Sequence, residues 1–333
     1  MKRLNIVLAG YGGVGRAIVP LLHARRRRLA DRFDVDVRLT GILRARGALV
    51  DSGGLGAAGL PDDAFTARFA APGDFLAAAR AQLLIEAGPT DLRTGEPALA
   101  HIRAALGMGC PVIAVSKGAL VVDGPALRER AEAGGLAFGV SAAAAVGLPT
   151  IAMARAVRGQ PRLRLEGILN GTSNMLLDMV MDEGLTLDEA LARARAAGVA
   201  EADPALDIDG WDIAAKMAII ALFGLDTPLH PDAMSVESMR FITPEQIADW
   251  RAAGLRPRLI GRLWRDDGPL RGAVTLRTYA ADDRFAHVRA RGKALRVEID
   301  GVETAFAASD ESSPAETAAA ALDDLEQMLA ARR

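Results

Sequence analysis

Residues 4–19 read LNIVLAGYGGVGRAIV. The first six form a short apolar run that ends at glycine, the pattern of a buried strand. The continuation, GYGGVGRAIVPLLHARRRR, has a helical period. Gly10-x-Gly12-x-x-Gly15 lies at the junction, and a strand, a glycine turn and an opening helix in that order form the fingerprint of a dinucleotide-binding βαβ unit. Gly10 permits the tight turn. Gly12 lets the backbone approach a pyrophosphate, whose charge sits at a helix N-terminus, and Gly15 lets the helix pack on the strand. Gly13 and Val14, inside the motif, are expected in the same contact. With 34 glycines in the chain, the competing reading is a plain strand–turn–helix.

Outward from this stretch, VDVRLTGIL (35–43), AQLLIEAG (81–88), PVIAVSK (111–117) and LAFGVS read as further strands. DFLAAARA, EPALAHIRAALGMG and PALRERAEAGG read as helices between them. Strands alternating with helices over 1–140 predict an α/β, Rossmann-type doubly wound parallel sheet. From LPTIAMARAVRG onward the pattern changes. RLRLEGILNG is a strand entering a polar turn, and TSNMLLDMVMDEG and LDEALARARAAG are helices stopped by Gly184 and Gly198. Residues 256–307 alternate in short stretches and predict antiparallel strands. Residues 141–312 are thus expected to form a second, α+β unit. The last element has Ser313 as cap, Pro314 at its first helical position and Glu316 completing an S-x-x-E box. This helix, 313–333, is expected to rejoin the first unit.

Composition excludes several classes. The 333 residues are 50% hydrophobic and 25% charged, with net charge −2, so nothing draws the whole chain to nucleic acid or an anionic membrane. Four consecutive arginines, Arg25 to Arg28, read as the solvated C-terminal end of the first helix. A nucleic-acid face would need interleaved aromatics, and only 4% of residues are aromatic. No apolar stretch approaches the roughly 20 residues of a membrane span, and the apolar start is too short for a signal peptide. The single cysteine, Cys110, suits a reducing cytoplasm, and the four scattered histidines show no metal-ligand spacing. No metal is therefore expected.

The positive charge is unevenly written. Of 40 Lys+Arg only Lys2, Lys117, Lys216 and Lys293 are lysine, leaving 40 − 4 = 36 arginines. Lys216 lies in EADPALDIDGWDIAAKMAII (201–220), one helical turn after Asp212 on a face continued by Ile219, Ile220 and Phe223. Lysine can give up a proton and arginine cannot, so Lys216 reads either as a proton handler held by Asp212 or as an ordinary helix ion pair. At the end of the second strand Arg44 and Arg46 stand where an acid would select NAD, and no acid follows until Asp51. Arginine suits a ribose 2′-phosphate, which favours NADP, with NAD as the other cofactor.

GILNGTSNMLLDMV…EGLTLDEALARARAAGVAEADPALDIDGWDIAAKMAII strongly resembles homoserine dehydrogenase. That family carries a G-x-x-N/S-G-T turn, E-x-D-P, an aspartate-rich step, G-x-D and then a lysine. Gly167, Asn170, Gly171, Thr172, Glu201, Asp203, Pro204, Asp207, Gly210, Asp212 and Lys216 match in order. MGCPVIAVSKGAL (108–120) resembles the family segment ending in a second active-site lysine, Lys117, and the resemblance spans roughly 1–240. It implies reversible hydride transfer between a nicotinamide and aspartate 4-semialdehyde, giving L-homoserine. Lys216 and then Lys117 would be the proton donors, and Asp212 would orient Lys216. Glu201 and Asp207 would take the substrate ammonium, and the backbone at Gly171 and Thr172 would meet its polar end. Gly88, Pro89, Thr90 and Ser116 would lie near the nicotinamide. The resemblance also implies a homodimer in which the second unit serves dimerisation.

Two departures stand out. Ser141 occupies the place of a family glutamate that holds a monovalent cation. SDESSPAET replaces a glycine-rich G-x-G-A-G before the last helix. The second departure points to a relative acting on a different small amino-acid-like substrate or to weaker cofactor binding. A non-catalytic nucleotide sensor is the competing class, and the intact Glu201, Asp212 and Lys216 set speaks against it.

Overall fold

The computed structural model describes residues 1–57, 60–197, 204–310 and 313–331. The chain divides into two compact units, Met1–Val146 with Ser313–Arg333, and Gly147–Ser312. The first runs β1 (Lys2–Ala9), α1 (Gly13–Phe33), β2 (Val35–Arg44), β3 (Gly47–Val50), α2 (Pro72–Ala78), β4 (Leu83–Glu86), α3 (Ala98–Gly107), β5 (Val112–Ala114), α4 (Gly118–Ala133) and β6 (Phe138–Gly139). The sheet order is β3-β2-β1-β4-β5-β6. All neighbours are parallel except β3, which folds back antiparallel on β2. The strand order reverses between β1 and β4, and ligands of such sheets bind beyond the carboxyl ends of the strands at that switch. Leu4 to Ala9 are buried throughout, as the mainly apolar run predicts, and its one polar side chain, Asn5, is bonded to Arg3 and the Arg80 carbonyl.

Two features of this unit differ from the sequence reading. The four-residue edge strand β3 carries no periodicity, and the hairpin to β2 supplies what its sequence does not. α4 begins well before PALRERAEAGG. Its first turns, from Gly118, are buried, and a break at Asp123 (φ −139°, ψ 18°) admits Pro125, which has no N–H to give and disfavours helical backbone before it.

The second unit runs α5 (Thr150–Val157), β7 (Arg162–Ile168), α6 (Gly171–Glu183), α7 (Leu187–Ala196), α8 (Ala205–Ile208), α9 (Trp211–Phe223), β8 (Ser235–Val236), α10 (Pro244–Ala252), β9 (Arg256–Asp266), β10 (Arg271–Tyr279), β11 (Lys293–Ile299) and β12 (Val302–Ser309). Its sheet has the order β12-β11-β7-β9-β10-β8, antiparallel apart from the β8–β10 pair. α6 ends at Gly184 in the left-handed region (φ 76°), whereas Gly198 lies outside the described residues. α9 is apolar on nearly every side, the composition of a helix enclosed by protein. A Cβ on Gly261 of β9 would come within 2.6 Å of Ile213 and 2.7 Å of Met217, so the strand backbone lies directly against this helix.

α11 (Pro314–Ala331) closes the first unit. Ser313 and Glu316 exchange the two bonds of the expected capping box, and Leu322 and Leu325 are fully buried. This helix corrects the reading of the arginine run. α1 continues to Phe33, so Arg25 to Arg28 lie within it rather than at a solvated end. Arg25 pairs with Asp323 (2.5 Å) and Glu326 (3.1 Å), Arg28 with Glu326, and Arg26 with Asp36 (2.6 Å). For Arg25 and Arg28 the signal was hidden because the partners lie some 300 residues away in sequence. Ser141 belongs to the same unit. It donates its N–H (2.9 Å) and hydroxyl (2.6 Å) to Asp324, so the join falls at Val146/Gly147 and not after residue 140.

Candidate active site

The β1–α1 turn has the shape that the glycines require. Gly10 has φ +100°, and a Cβ there would stand 2.3 Å from the Ala87 carbonyl oxygen and 2.5 Å from the Gly88 nitrogen. The turn is thus pressed on the end of β4. A Cβ on Gly15 would meet the Gly10 oxygen at 2.3 Å, so the helix packs on the turn itself. Gly12 is exposed, and a Cβ there would meet nothing within 4 Å. It caps α1 without a side-chain bond, ahead of Gly13 and Val14, and no acid occupies the first turn. Backbone N–H groups at the positive end of a long helix, beside a glycine that leaves room for close approach, fit a pyrophosphate.

At the end of β2 the two arginines part company. Arg46 is exposed. Arg44 bonds Asp62 Oδ1 at 2.6 Å, and Arg16 reaches the same oxygen at 3.3 Å. Arg44 also lies over the Phe65 ring at 4.7 Å and Arg16 over Tyr11 at 4.6 Å, with the two rings 5.5 Å apart. Hydrogen bonding and charge from Arg44, then Arg16, hold the Asp62 carboxyl below the usual range. An acid therefore does stand beside the end of β2, supplied by a distant loop. Asp51, the nearest acid in sequence, instead accepts from Gly53 N–H in its own turn (2.7 Å).

Beyond β4 and β5 the expected nicotinamide residues are organised by one that sequence reasoning passed over. Glu86 is fully buried. It accepts from Gly88 N–H at 2.7 Å and from the Ser116 hydroxyl at 2.5 Å, tying the two strand ends together. Burial pushes its carboxyl up, with the Ser116 and Gly88 bonds opposing. The available signal was an acid written into the apolar run LLIEAG. Pro89 is exposed, and the Thr90 hydroxyl accepts from the Lys117 backbone N–H at 3.3 Å. Lys117 caps α4 and is half-buried.

In the second unit, four elements bring a polar cluster together. Lys216 of α9 donates to Asp212 Oδ2 at 2.5 Å and to the Leu169 carbonyl, just after β7, at 2.7 Å. Their side chains are only 12% and 11% exposed, so this is not a helix-surface pair. A carboxylate and an ammonium buried in an otherwise apolar helix add little net stability. Asn170, which caps α6, donates to Asp212 Oδ2 at 2.7 Å and to Asp207 Oδ1 of α8 at 2.6 Å. Gly171 and Thr172 open α6 immediately after it. Glu201 lies outside the described residues, as does Asp203. Lys216 thus has two of its three N–H bonds fixed, and among the described residues the third has no partner, the arrangement of a proton donor aimed at something else.

Two family models match successive parts of the chain. Residues 149–325 match the family model described as homoserine dehydrogenase, and residues 10–140 match the one described as homoserine dehydrogenase, NAD binding domain. An NAD(+)-dependent homoserine dehydrogenase from Pseudomonas canavaninivorans is 30% identical, over 98% of this chain and 96% of that protein. A homoserine dehydrogenase from Methanocaldococcus jannaschii is 28% identical, over 97% of each. The crystal structure of a homoserine dehydrogenase from Thiobacillus denitrificans superposes with TM-score 0.84 at 25% identity, covering 99% of this chain and 74% of that one.

Proposed function

The chain belongs to the homoserine dehydrogenase family, NAD(P)-dependent oxidoreductases acting on a CH–OH donor, and we propose how its residues divide that work. The substrate pair is aspartate 4-semialdehyde and L-homoserine. The observation that carries the reading is the Asp207–Asn170–Asp212–Lys216 cluster, a buried polar group in an apolar helix layer. The nicotinamide, when bound, supplies or accepts the hydride. During reduction the aldehyde oxygen gains charge, and the Lys216 ammonium gives it a proton, which solvent then restores. Asp212 and the Leu169 carbonyl hold the ammonium in one orientation. Asp207, with Glu201, takes the substrate ammonium, and the N–H groups at Gly171 and Thr172 take its carboxylate. Lys117 is the second candidate donor.

The β1–α1 turn, Gly10 to Gly15, holds the pyrophosphate, and Gly88, Pro89, Thr90 and Ser116 hold the nicotinamide end. NADP(H) is the preferred cofactor in this reading, because Arg16 and Arg44 already converge on one anionic oxygen. A 2′-phosphate takes the place of Asp62 between them. Asp62 also supports a second reading, NAD(H), since a carboxylate there can accept from a ribose hydroxyl. Titration of both cofactors decides between the two. Asp62→Ala frees the arginine pair and should shift preference toward NADP(H) by roughly tenfold or more, as for a charge-assisted bond. Equal affinities in the parent and no shift in the variant would discard the assignment. The protein is taken to act as a cytoplasmic homodimer, which sedimentation would test. Steady-state turnover of L-homoserine and aspartate 4-semialdehyde with each nicotinamide tests the substrate, and activity only on another small amino acid would replace it.

A further inference from the structure

The residue at the centre of the polar cluster has no chemistry of its own. Asn170 cannot exchange a proton at working pH, yet it is buried, at 5% exposure, where every atom of its amide is used. Its Oδ1 accepts from Ser173 N–H at 2.8 Å, capping α6. The two hydrogens on its Nδ2 go to two different carboxylates, Asp207 at 2.6 Å and Asp212 at 2.7 Å. These partners fix which way the amide points, since the flipped orientation would set an oxygen against two carboxylates and a nitrogen against an N–H. The preceding residue completes the arrangement, because the Leu169 carbonyl accepts from Lys216. Two consecutive positions after β7 therefore hold three side chains, those of Asp207, Asp212 and Lys216, which come from two other helices.

We propose that Asn170 is the positioning residue of this active site, one amide that sets both the carboxylate orienting Lys216 and the carboxylate taking the substrate ammonium. The inference rests on the assignment of Lys216 and Asp207 above. Its physical content is that two carboxylates gathered on one amide nitrogen repel each other, and an amide donating to both offsets that repulsion. Asn170 also anchors Asp212 Oδ2, the same oxygen that receives Lys216. Without the amide, Asp212 Oδ2 loses one of the donors that hold it against the ammonium, and Asp207 Oδ1 loses the Asn170 donor. The rate and the affinity for the amino-acid substrate then fail together, while the dinucleotide turn, in the first unit, is untouched.

The decisive variant is Asn170→Asp. It keeps the capping oxygen and the size of the side chain but replaces two donations by two repulsions. The expected result is a kcat about 100-fold lower and a KM for the amino-acid substrate at least tenfold higher, with the KM for the nicotinamide unchanged and Tm close to the parent. Asn170→Ser is the second variant, used if the first does not fold. It keeps a capping oxygen and cannot donate to both carboxylates. Parental kcat and KM in either folded variant would overturn the proposal, as would a loss of Tm with unchanged kinetics, which marks a helix cap only. Lys216→Arg is measured beside them. If Lys216→Arg is inactive while the Asn170 variants are normal, only the role of Asn170 fails. If Lys216→Arg is fully active, the assignment beneath it fails.

Discussion

At the scale of one residue, the proton transfer proposed for Lys216 gives a reason for lysine in a chain that otherwise prefers arginine. Lys216 sits in a helix whose buried positions are apolar apart from Asp212, and among the described residues its partners use two of its hydrogens. Lys216→Arg retains the charge but not a proton that can leave at working pH. With substrate and cofactor saturating, kcat should fall by about 10²–10⁴, with Tm near that of the parent. Near-parental turnover would return the residue to the class of structural ion pairs. Glu86 gives a prediction about stability. Its carboxyl is held above the usual range by burial, so the folded chain binds that proton more tightly than the unfolded chain. The contribution is fully present below the ordinary glutamate value and is lost as pH rises through the raised one. Glu86→Gln can still accept from Gly88 and donate to Ser116, so its Tm should fall less than the parent's as pH rises above the ordinary glutamate range. Parallel Tm–pH curves would show that Glu86 is not the source of the slope.

At the scale of the element, the β1–α1 turn separates a glycine needed for folding from one needed for binding. Gly15→Ala places a Cβ 2.3 Å from the Gly10 carbonyl oxygen, where only backbone can yield. It should cost about 2–3 kcal/mol of stability, as overpacking does. Gly12→Ala meets nothing within 4 Å. It should leave Tm within a degree or two while weakening nicotinamide cofactor binding by roughly tenfold, because the methyl group occupies the approach to the helix N-terminus. Denaturation and cofactor titration of both variants check the pair. Equal loss of Tm in the two, or unweakened binding in Gly12→Ala, would mean that the turn is merely a turn.

The whole molecule depends on a helix that arrives last. α11 lays Leu322, Leu325, Met328 and Leu329 into the first unit and Glu326 among Arg25, Arg28 and Arg32 of α1. The apolar contacts should outweigh the charged ones. Leu325→Ala opens a cavity at a fully buried site and should cost about 2–5 kcal/mol. Glu326→Ala removes a carboxylate shared with Arg25, which is mostly buried, and with Arg28 and Arg32, which are mainly exposed, and should cost about 1 kcal/mol. Thermal unfolding of both and of the parent, at low and high salt, tests the order, with only the loss caused by Glu326→Ala expected to shrink at high salt. Among the described residues no helix is long and apolar enough to cross a membrane.

Local order along the chain determined a good deal by itself. LNIVLA followed by the glycine turn specifies a buried strand entering a helix, because a run that is apolar apart from Asn5 must be covered on both faces and only glycine fits the turn. The alternation that follows specifies the parallel sheet, and the i, i+4 spacing alone puts Asp212 against Lys216. Ser313, Pro314 and Glu316 specify the start of the last helix, since capping is settled within one turn. Tertiary structure decided whatever depends on residues far apart in sequence. Asp62 is brought to Arg44 by a loop with no periodic signal, which is why the end of β2 read as free of acid. Arg25 and Arg28 read as solvated because Asp323 and Glu326 lie at the other end of the chain. Glu86 and Ser116 meet only because β4 and β5 are neighbours in the sheet. Asn170 read as one letter of a turn motif, and only the return of α8 and α9 to the end of β7 puts two carboxylates on its amide. A hydrogen bond needs its two groups within about 3 Å, and that closeness is a property of the packed chain rather than of the order of its residues.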